Sequence, residues 1–251
     1  MMFRWEPDMV RFMRDASTYG DYHERLAARI AARLPAGAHV CDAGCGLGYL
    51  SRALSPLCGA VTALDISENA LAVAREINAA LPNVSVVQAD MARFVPERPF
   101  DAMVFCFFGR TREILRFAAR ACRGRVVVVK KNWQNHRFTL ATKPLAHSTL
   151  PEMEAFMAGL GIPVETEALT LEFGQPLRSE ADAVRFFQLY SRDDHPERIT
   201  FADIAARLER RDDPVFPLYL PEQKQLGILS FDTRDIPAEI ATSSEQEDNP
   251  L

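Results

Sequence analysis

Apolar residues along this chain change their spacing in a regular order. Over 21–34, Leu26, Ile30 and Leu34 recur at helical spacing with arginines between them, which predicts an amphipathic helix stopped by Pro35 and Gly37. Val40 and Cys41 read as the end of a short buried strand, and a helix carrying Leu50, Ala53, Leu54 and Leu57 follows, closed by Gly59. A second apolar strand covers 60–65. Ser67 caps a helix that runs to about Leu81, where Pro82 and Asn83 break it before a third strand at 84–88. A fourth strand is expected over 100–107. Thr111 caps a helix through Cys122, with Gly124 as its stop, and 125–130 holds four consecutive valines, as in a strand buried on both faces.

Such alternation with short connections predicts an α/β fold, a parallel sheet between helical layers, with ligands bound beyond the carboxyl ends of the strands. Beyond Lys130 the pattern loosens into a helix over 151–160, a strand over 164–173, helices over 179–190 and 200–211, and an apolar, proline-broken stretch at 216–221. A final strand over 225–231 is placed antiparallel to the one before the insertion. No repeat or linker divides the chain. We therefore expect a single domain over 1–236, with an N-terminal helical lid region at 1–34, a helical insertion at 175–221 between the last two strands, and a disordered tail at 237–251, where polar and acidic residues dominate. Phe186, Phe187, Leu189 and Tyr190 are too dense for one helix stripe and point to a lid or to a homodimer surface within the insertion.

Charge and cysteine content narrow the partners. The 251 residues carry a formal net charge of -5, so no global basic field exists to hold a nucleic acid, and a small-molecule substrate is the better expectation. Five cysteines, odd in number and mostly within apolar runs, read as reduced thiols of a cytoplasmic protein. Cys41 and Cys45 span a glycine turn and no second pair stands at zinc-like spacing, so no metal is expected. The N-terminus lacks a signal-peptide core and no apolar run approaches a membrane span.

The stretch 39–50 carries the candidate chemistry. Asp42 follows the first strand, and Gly44, Gly46 and Gly48 then let the backbone turn sharply and approach a ligand before the helix begins. A dinucleotide fingerprint would place its third glycine at position 49, where this chain has Tyr49. The Asp-x-Gly-x-Gly-x-Gly pattern instead closely resembles that of the class I S-adenosylmethionine-dependent methyltransferases. That resemblance covers roughly residues 21–130 and the closing strands, and implies a Rossmann-like sandwich with a mostly parallel seven-stranded sheet whose last strand is antiparallel.

The resemblance also implies roles. Asp42 would hold the ammonium group of S-adenosylmethionine, Gly44, Gly46 and Gly48 would let the cofactor lie against the backbone, and the amides of the loop would meet its carboxylate. Asp65, ending the second strand, would accept from both ribose hydroxyls, with Ile66 packed on the adenine. Asp90 would stand near the adenine amino group with the Met91 backbone beside the ring, and the backbone at Phe105 and Cys106 would approach the methionine end. Tyr19 sits where relatives place an aromatic lid, with Tyr22 close behind. The acceptor would lie over the ends of the fourth and fifth strands, which singles out Phe107, Phe108, Gly109 and Arg110, and Lys130, Lys131, Asn132 and Trp133.

Transfer would proceed by in-line displacement, leaving S-adenosylhomocysteine, and a strong base is optional because the methyl is already activated. Lys130 could bind an anionic acceptor or act as a base if desolvated, and His136 and His147 are further candidate bases. Amino-group methylating members often carry Asn-Pro-Pro-Tyr after the fourth strand, where this chain has Cys106-Phe107-Phe108-Gly109, and ribose methylation would want an acid at Cys106. An RNA or protein methyltransferase is thus the alternative within the fold. A non-catalytic cofactor-binding or assembly module is the alternative outside it, and a nicotinamide-dependent oxidoreductase ranks last because of Tyr49.

Overall fold

A computed structural model describes residues 5–133, 138–140 and 149–242. In chain order the helices are Pro7–Tyr19 (α1), Tyr22–Ala31 (α2), Tyr49–Leu54 (α3), Glu68–Asn78 (α4), Thr111–Ala121 (α5), Leu150–Gly159 (α6), Glu180–Tyr190 (α7), Phe201–Ile204 (α8) and Ala238–Thr242 (α9). The strands are His39–Ala43 (β1), Ala60–Asp65 (β2), Val84–Gln88 (β3), Phe100–Cys106 (β4), Cys122–Lys131 (β5), Glu165–Glu172 (β6), Gln175–Leu177 (β7), Glu209–Arg210 (β8), Leu218–Leu220 (β9) and Gln223–Asp232 (β10). The described residues form two compact units, one within 23–132, 148–169 and 226–251, the other within 1–22, 133–147 and 170–225. The expectation was a single domain.

The larger unit carries a seven-stranded sheet in the order β3-β2-β1-β4-β5-β10-β6. Strands β1 to β5 pair in parallel with their neighbours, and β10 runs antiparallel to β5 with Leu226 opposite Lys131 and Asp232 opposite Arg125. Val126 to Val129 are fully buried, as their unbroken apolar run demands of a strand covered on both faces. Chain reversal between β1 and β4 in the sheet order places the ends of β1, β2 and β4 at a switch point, where ligands of open α/β sheets bind.

Three local expectations are corrected here. Gly124 does not stop a helix but lies inside β5, at a register shift opposite Phe100 and Ala102, where an added Cβ would stand 2.5 Å from the Asp101 carbonyl oxygen. Glycine permits that approach. Helix α5 is entered at Arg110, whose amide donates to the Glu113 carboxylate at 2.8 Å, rather than capped by Thr111. The stretch expected to be a structureless tail from 237 is helical over Ala238–Thr242, because Ile240 is buried in the core beside α5.

In the smaller unit, α1 is a 13-residue helix begun by Pro7. Its Phe12 is fully buried and meets Phe186 edge-on at 5.2 Å, within a core that also holds Leu177, Phe187, Ile204, Leu218 and Leu220. Phe186 and Phe187 of α7 therefore belong to the interior of this unit, while Leu189 and Tyr190 are half-buried against it. Nor is the insertion only helical. Residues expected as a helix over 200–211 form the single turn of α8, and β8 then pairs antiparallel with β9, which pairs antiparallel with β7. The three residues of β9 are all buried between flanking prolines, so their backbone groups find partners in neighbouring strands. Asp15, buried near the end of α1, accepts two hydrogen bonds from the Arg178 guanidinium at 2.7 and 3.1 Å.

Candidate functional site

The site is built at the carboxyl ends of β1, β2 and β3 in the larger unit. Parallel pairing sets Ala43 beside Leu64 and Asp65 beside Gln88, so Asp42, Asp65 and Asp90 stand along one edge of the sheet. Asp42 is 1% exposed and accepts a 2.6 Å hydrogen bond from the Ser51 hydroxyl on α3. Burial pushes its pKa up to about 6, the Ser51 hydrogen bond opposes that rise, and the charge of Asp65 adds to it. Ser51 is a site residue that the sequence pattern does not single out. Its only signal is a hydroxyl in the first turn of the helix that the glycine loop opens.

The loop itself is held by β2. The amides of Gly44 and Cys45 both donate to the Leu64 carbonyl, at 2.7 and 3.0 Å, and the Gly46 amide donates to Asp65 Oδ2 at 2.9 Å. These three amides are thus engaged by β2, so of the loop amides expected to meet a ligand carboxylate they are already spoken for. Gly44, Gly46 and Gly48 all adopt positive φ, at 73°, 53° and 77°. At Gly44 a Cβ would lie 2.1 Å from the Phe108 ring, and at Gly48 it would lie 2.9 Å from the Ala74 side chain on α4. Asn78, also on α4, donates to the Gly48 carbonyl at 3.3 Å.

Asp65 has a second backbone partner, the Ser67 amide at 2.9 Å on Oδ1, so each carboxylate oxygen already accepts once and retains capacity for a further donor. Ile66 stays 39% exposed. Asp90 accepts from the Ala92 amide at 2.9 Å, and the Met91 carbonyl accepts from Arg120 at 2.7 Å. The Met91 methyl reaches toward the turn after β4, where a Cβ on Gly109 would stand 3.9 Å from it.

After β4 the backbone turns through two positive φ values, 55° at Phe107 and 76° at Gly109. Phe105 is fully buried in the core against Phe117, so only its backbone can face a ligand, while Cys106 is partly buried and Arg110 exposed. Lys130 is 2% exposed and its Nζ donates to the Gly109 carbonyl at 2.8 Å. Desolvation pushes its pKa down to about 8. Lys131 and Asn132 are half-buried, with Lys131 bridged to Thr149.

Trp133 and Tyr19 fall in the smaller unit, where the Tyr19 ring lies 5.7 Å from that of Phe216 and 5.4 Å from that of Tyr219. Tyr22 is buried there against Phe173, at 4.3 Å. His136 and His147 lie outside the described residues. Among the described residues no three His, Cys, Asp or Glu side chains are grouped to hold a metal ion, and no helix is long and apolar enough to cross a membrane.

Residues 40–126 match a family model described as a methyltransferase domain. A curated relative, the dTDP-3-amino-3,6-dideoxy-alpha-D-glucopyranose N,N-dimethyltransferase of Streptomyces fradiae, is 33% identical over 132 residues, which is 47% of this chain and 50% of that protein. This chain therefore spans about half the length of that relative. Among solved structures, the YcgJ protein of Bacillus subtilis matches with a TM-score of 0.54 at 15% identity, covering 85% of this chain and 98% of its own. A protein of Aquifex aeolicus described as a SAM dependent methyltransferase matches with a TM-score of 0.53 at 19% identity, covering 66% of this chain and 93% of its own.

Proposed function

We propose that this chain, which carries a methyltransferase domain over residues 40–126 on a class I methyltransferase fold, transfers a methyl group from S-adenosylmethionine to a small-molecule nucleophile. The observation that carries this reading is the row of Asp42, Asp65 and Asp90 along the ends of three adjacent parallel strands, beside a loop bent through three positive-φ glycines. The donor set fits the cofactor's chemistry. A buried carboxylate with a raised pKa suits an ammonium group, a second carboxylate with unused lone pairs suits a diol, and the exposed isoleucine that follows the second suits an aromatic base.

Bound S-adenosylmethionine supplies a methyl already activated on a sulfonium. Asp42 would hold the ammonium end, Asp65 the ribose hydroxyls, Ile66 the adenine face, and Asp90 with the Met91 backbone the adenine edge. Phe105 and Cys106 would offer backbone to the methionine end. The chain's remaining task is to orient an acceptor lone pair behind the methyl and to keep water out. An acceptor held there would take the methyl by in-line displacement, with S-adenosylhomocysteine as the other product, and would give up its proton to solvent. Phe108, Arg110, Lys130 and Lys131 remain our acceptor-side candidates.

The relative named as a sugar N,N-dimethyltransferase supports a small molecule, and the net charge of -5 gives no field for a nucleic acid. We read both compact units as parts of one methyltransferase working in the cytoplasm, where five free cysteines stay reduced.

Calorimetric titration with S-adenosylmethionine, S-adenosylhomocysteine and NAD tests the cofactor, and binding of NAD alone would sink it. Asp65→Ala is expected to weaken S-adenosylhomocysteine by about 1.5–3 kcal/mol, the scale of a hydrogen bond to a charged group. Unchanged affinity would remove Asp65 from the site. A methyl-transfer screen over small amines, phenols, thiols and carboxylates then identifies the acceptor, and silence across that screen despite tight cofactor binding would favour a non-catalytic module.

A further inference from the structure

We propose that Lys130 is a positioning residue: it grips the Gly109 carbonyl and thereby fixes the turn that lays the Phe108 ring on Gly44. This inference rests on reading Gly44 as the floor of the cofactor site.

Strand β5 holds the turn after β4 at two points. The Val129 carbonyl accepts from the Phe107 amide at 3.0 Å, and the next residue, Lys130, donates from Nζ to the Gly109 carbonyl at 2.8 Å. Phe108 is the one residue between these anchors. Its ring rests so close to Gly44 that a Cβ there would stand 2.1 Å from ring carbon Cγ. Phe107 is the only non-glycine residue with positive φ among the described residues, at 55°, and an aromatic side chain keeps that conformation only where its surroundings over-determine it. The two anchors are such surroundings. With the second one cut, Phe107 can return to negative φ and carry the Phe108 ring away from the glycine loop.

The residue type supports the same role. Lys130 is 2% exposed although it follows four valines, in a place where an apolar side chain would bury without a desolvation penalty. Charges nearby hold its proton in place: Glu113 on α5 and Glu152 on α6 favour the ammonium, Lys131 on β5 opposes it, and β10 places Gly227 opposite. An ammonium kept at that cost and aimed at a loop carbonyl does something an apolar residue could not, which is to hold the turn.

The test uses the full chain with Lys130→Met, Lys130→Arg, Phe108→Ala and the Met/Ala double variant. In hydrogen exchange without ligand, Lys130→Met should speed the 106–110 segment by ~10-fold or more while β1 to β3 keep their protection, and Lys130→Arg should restore it. Equal loosening of every segment, or no change at 106–110, would overturn the proposal. In calorimetry, Lys130→Met and Phe108→Ala should each weaken S-adenosylhomocysteine by a similar factor, on the order of 10-fold, and the double variant should lose no more than either alone. Additive losses, or full affinity in Lys130→Met, would show that the lysine does not act through the ring. If Lys130→Met fails to fold, Lys130→Gln replaces it, keeping a donor without charge, and must lie between wild type and Phe108→Ala in both measurements. Absence of S-adenosylhomocysteine binding in the wild type would defeat the functional reading alone, and the exchange result would still decide the role of Lys130 in the turn.

Discussion

Asp42→Asn is expected to make the ligand-free protein more stable at neutral pH and nearly useless for binding S-adenosylhomocysteine. The carboxyl is 1% exposed and its pKa stands at about 6 against an ordinary 3.8, with burial as the main cause. Between those two values the folded chain holds a proton that the unfolded chain has released, so stability falls as pH rises through that window. Above about pH 6 the whole deficit is present, on the order of 3 kcal/mol. Asparagine removes the charge and keeps an oxygen for the Ser51 hydroxyl, so urea unfolding at pH 7 should shift to higher midpoint, and the gain should vanish below pH 4, where both states carry the proton. Binding moves the other way. Loss of one member of a buried, hydrogen-bonded charge pair lowers affinity by about 2–5 kcal/mol. Wild-type affinity should also fall about tenfold per pH unit below pH 6, as the carboxylate takes up its proton, while the asparagine variant stays flat over that range. Equal affinity of the two proteins at pH 7 would exclude Asp42 as the ammonium partner.

Gly44→Ala is expected to destabilise the fold by about 2–6 kcal/mol, combining backbone strain at positive φ with overpacking. Its φ of 73° is a conformation that residues with a Cβ rarely adopt, and the added methyl would meet the Phe108 ring at 2.1 Å. Since a domain of this kind holds only about 5–15 kcal/mol in all, the variant should be marginal at 37 °C. Repeating the change in a Phe108→Ala background separates the two causes. The steric part should disappear and the strain, about 1–3 kcal/mol, should remain. A Gly44→Ala protein as stable as wild type in urea would show that the ring does not rest on the loop.

Much of the sheet is legible in the residues themselves, because its signals are local. Apolar residues dominate β2, β4 and β5, β2 ends at Asp65, and Asp42, expected after the first strand, stands one residue before β1 ends. The glycine spacing, with Tyr49 in place of a third dinucleotide glycine, distinguishes one cofactor class from another. What escapes such reading depends on contacts between distant residues. Ser51 matters only because α3 turns it toward β1, and the sequence does not reveal that Lys130 is buried with its ammonium on the Gly109 carbonyl. Gly124 carries the same signal whether it stops a helix or lets Asp101 approach. The insertion misleads for a similar reason: three residues between prolines are too few to show a period, yet in β9 they join β7 to β8.

The placement of β10 has a consequence for the order in which the protein can form. Strand β5 ends at Lys131, and its antiparallel partner begins at Gln223, so the edge displaying Val126 to Val129 waits for more than ninety residues of intervening chain. The β1–β4 pairing already spans residues 44–99, and this last one must close a longer stretch still before any contact rewards it. A nascent chain on the ribosome therefore presents an unpaired, valine-rich edge for the whole time the insertion is being made, at a rate of about 5–20 residues per second. That edge is the segment of this molecule most open to mispairing with another copy, and the one a chaperone would have most reason to cover.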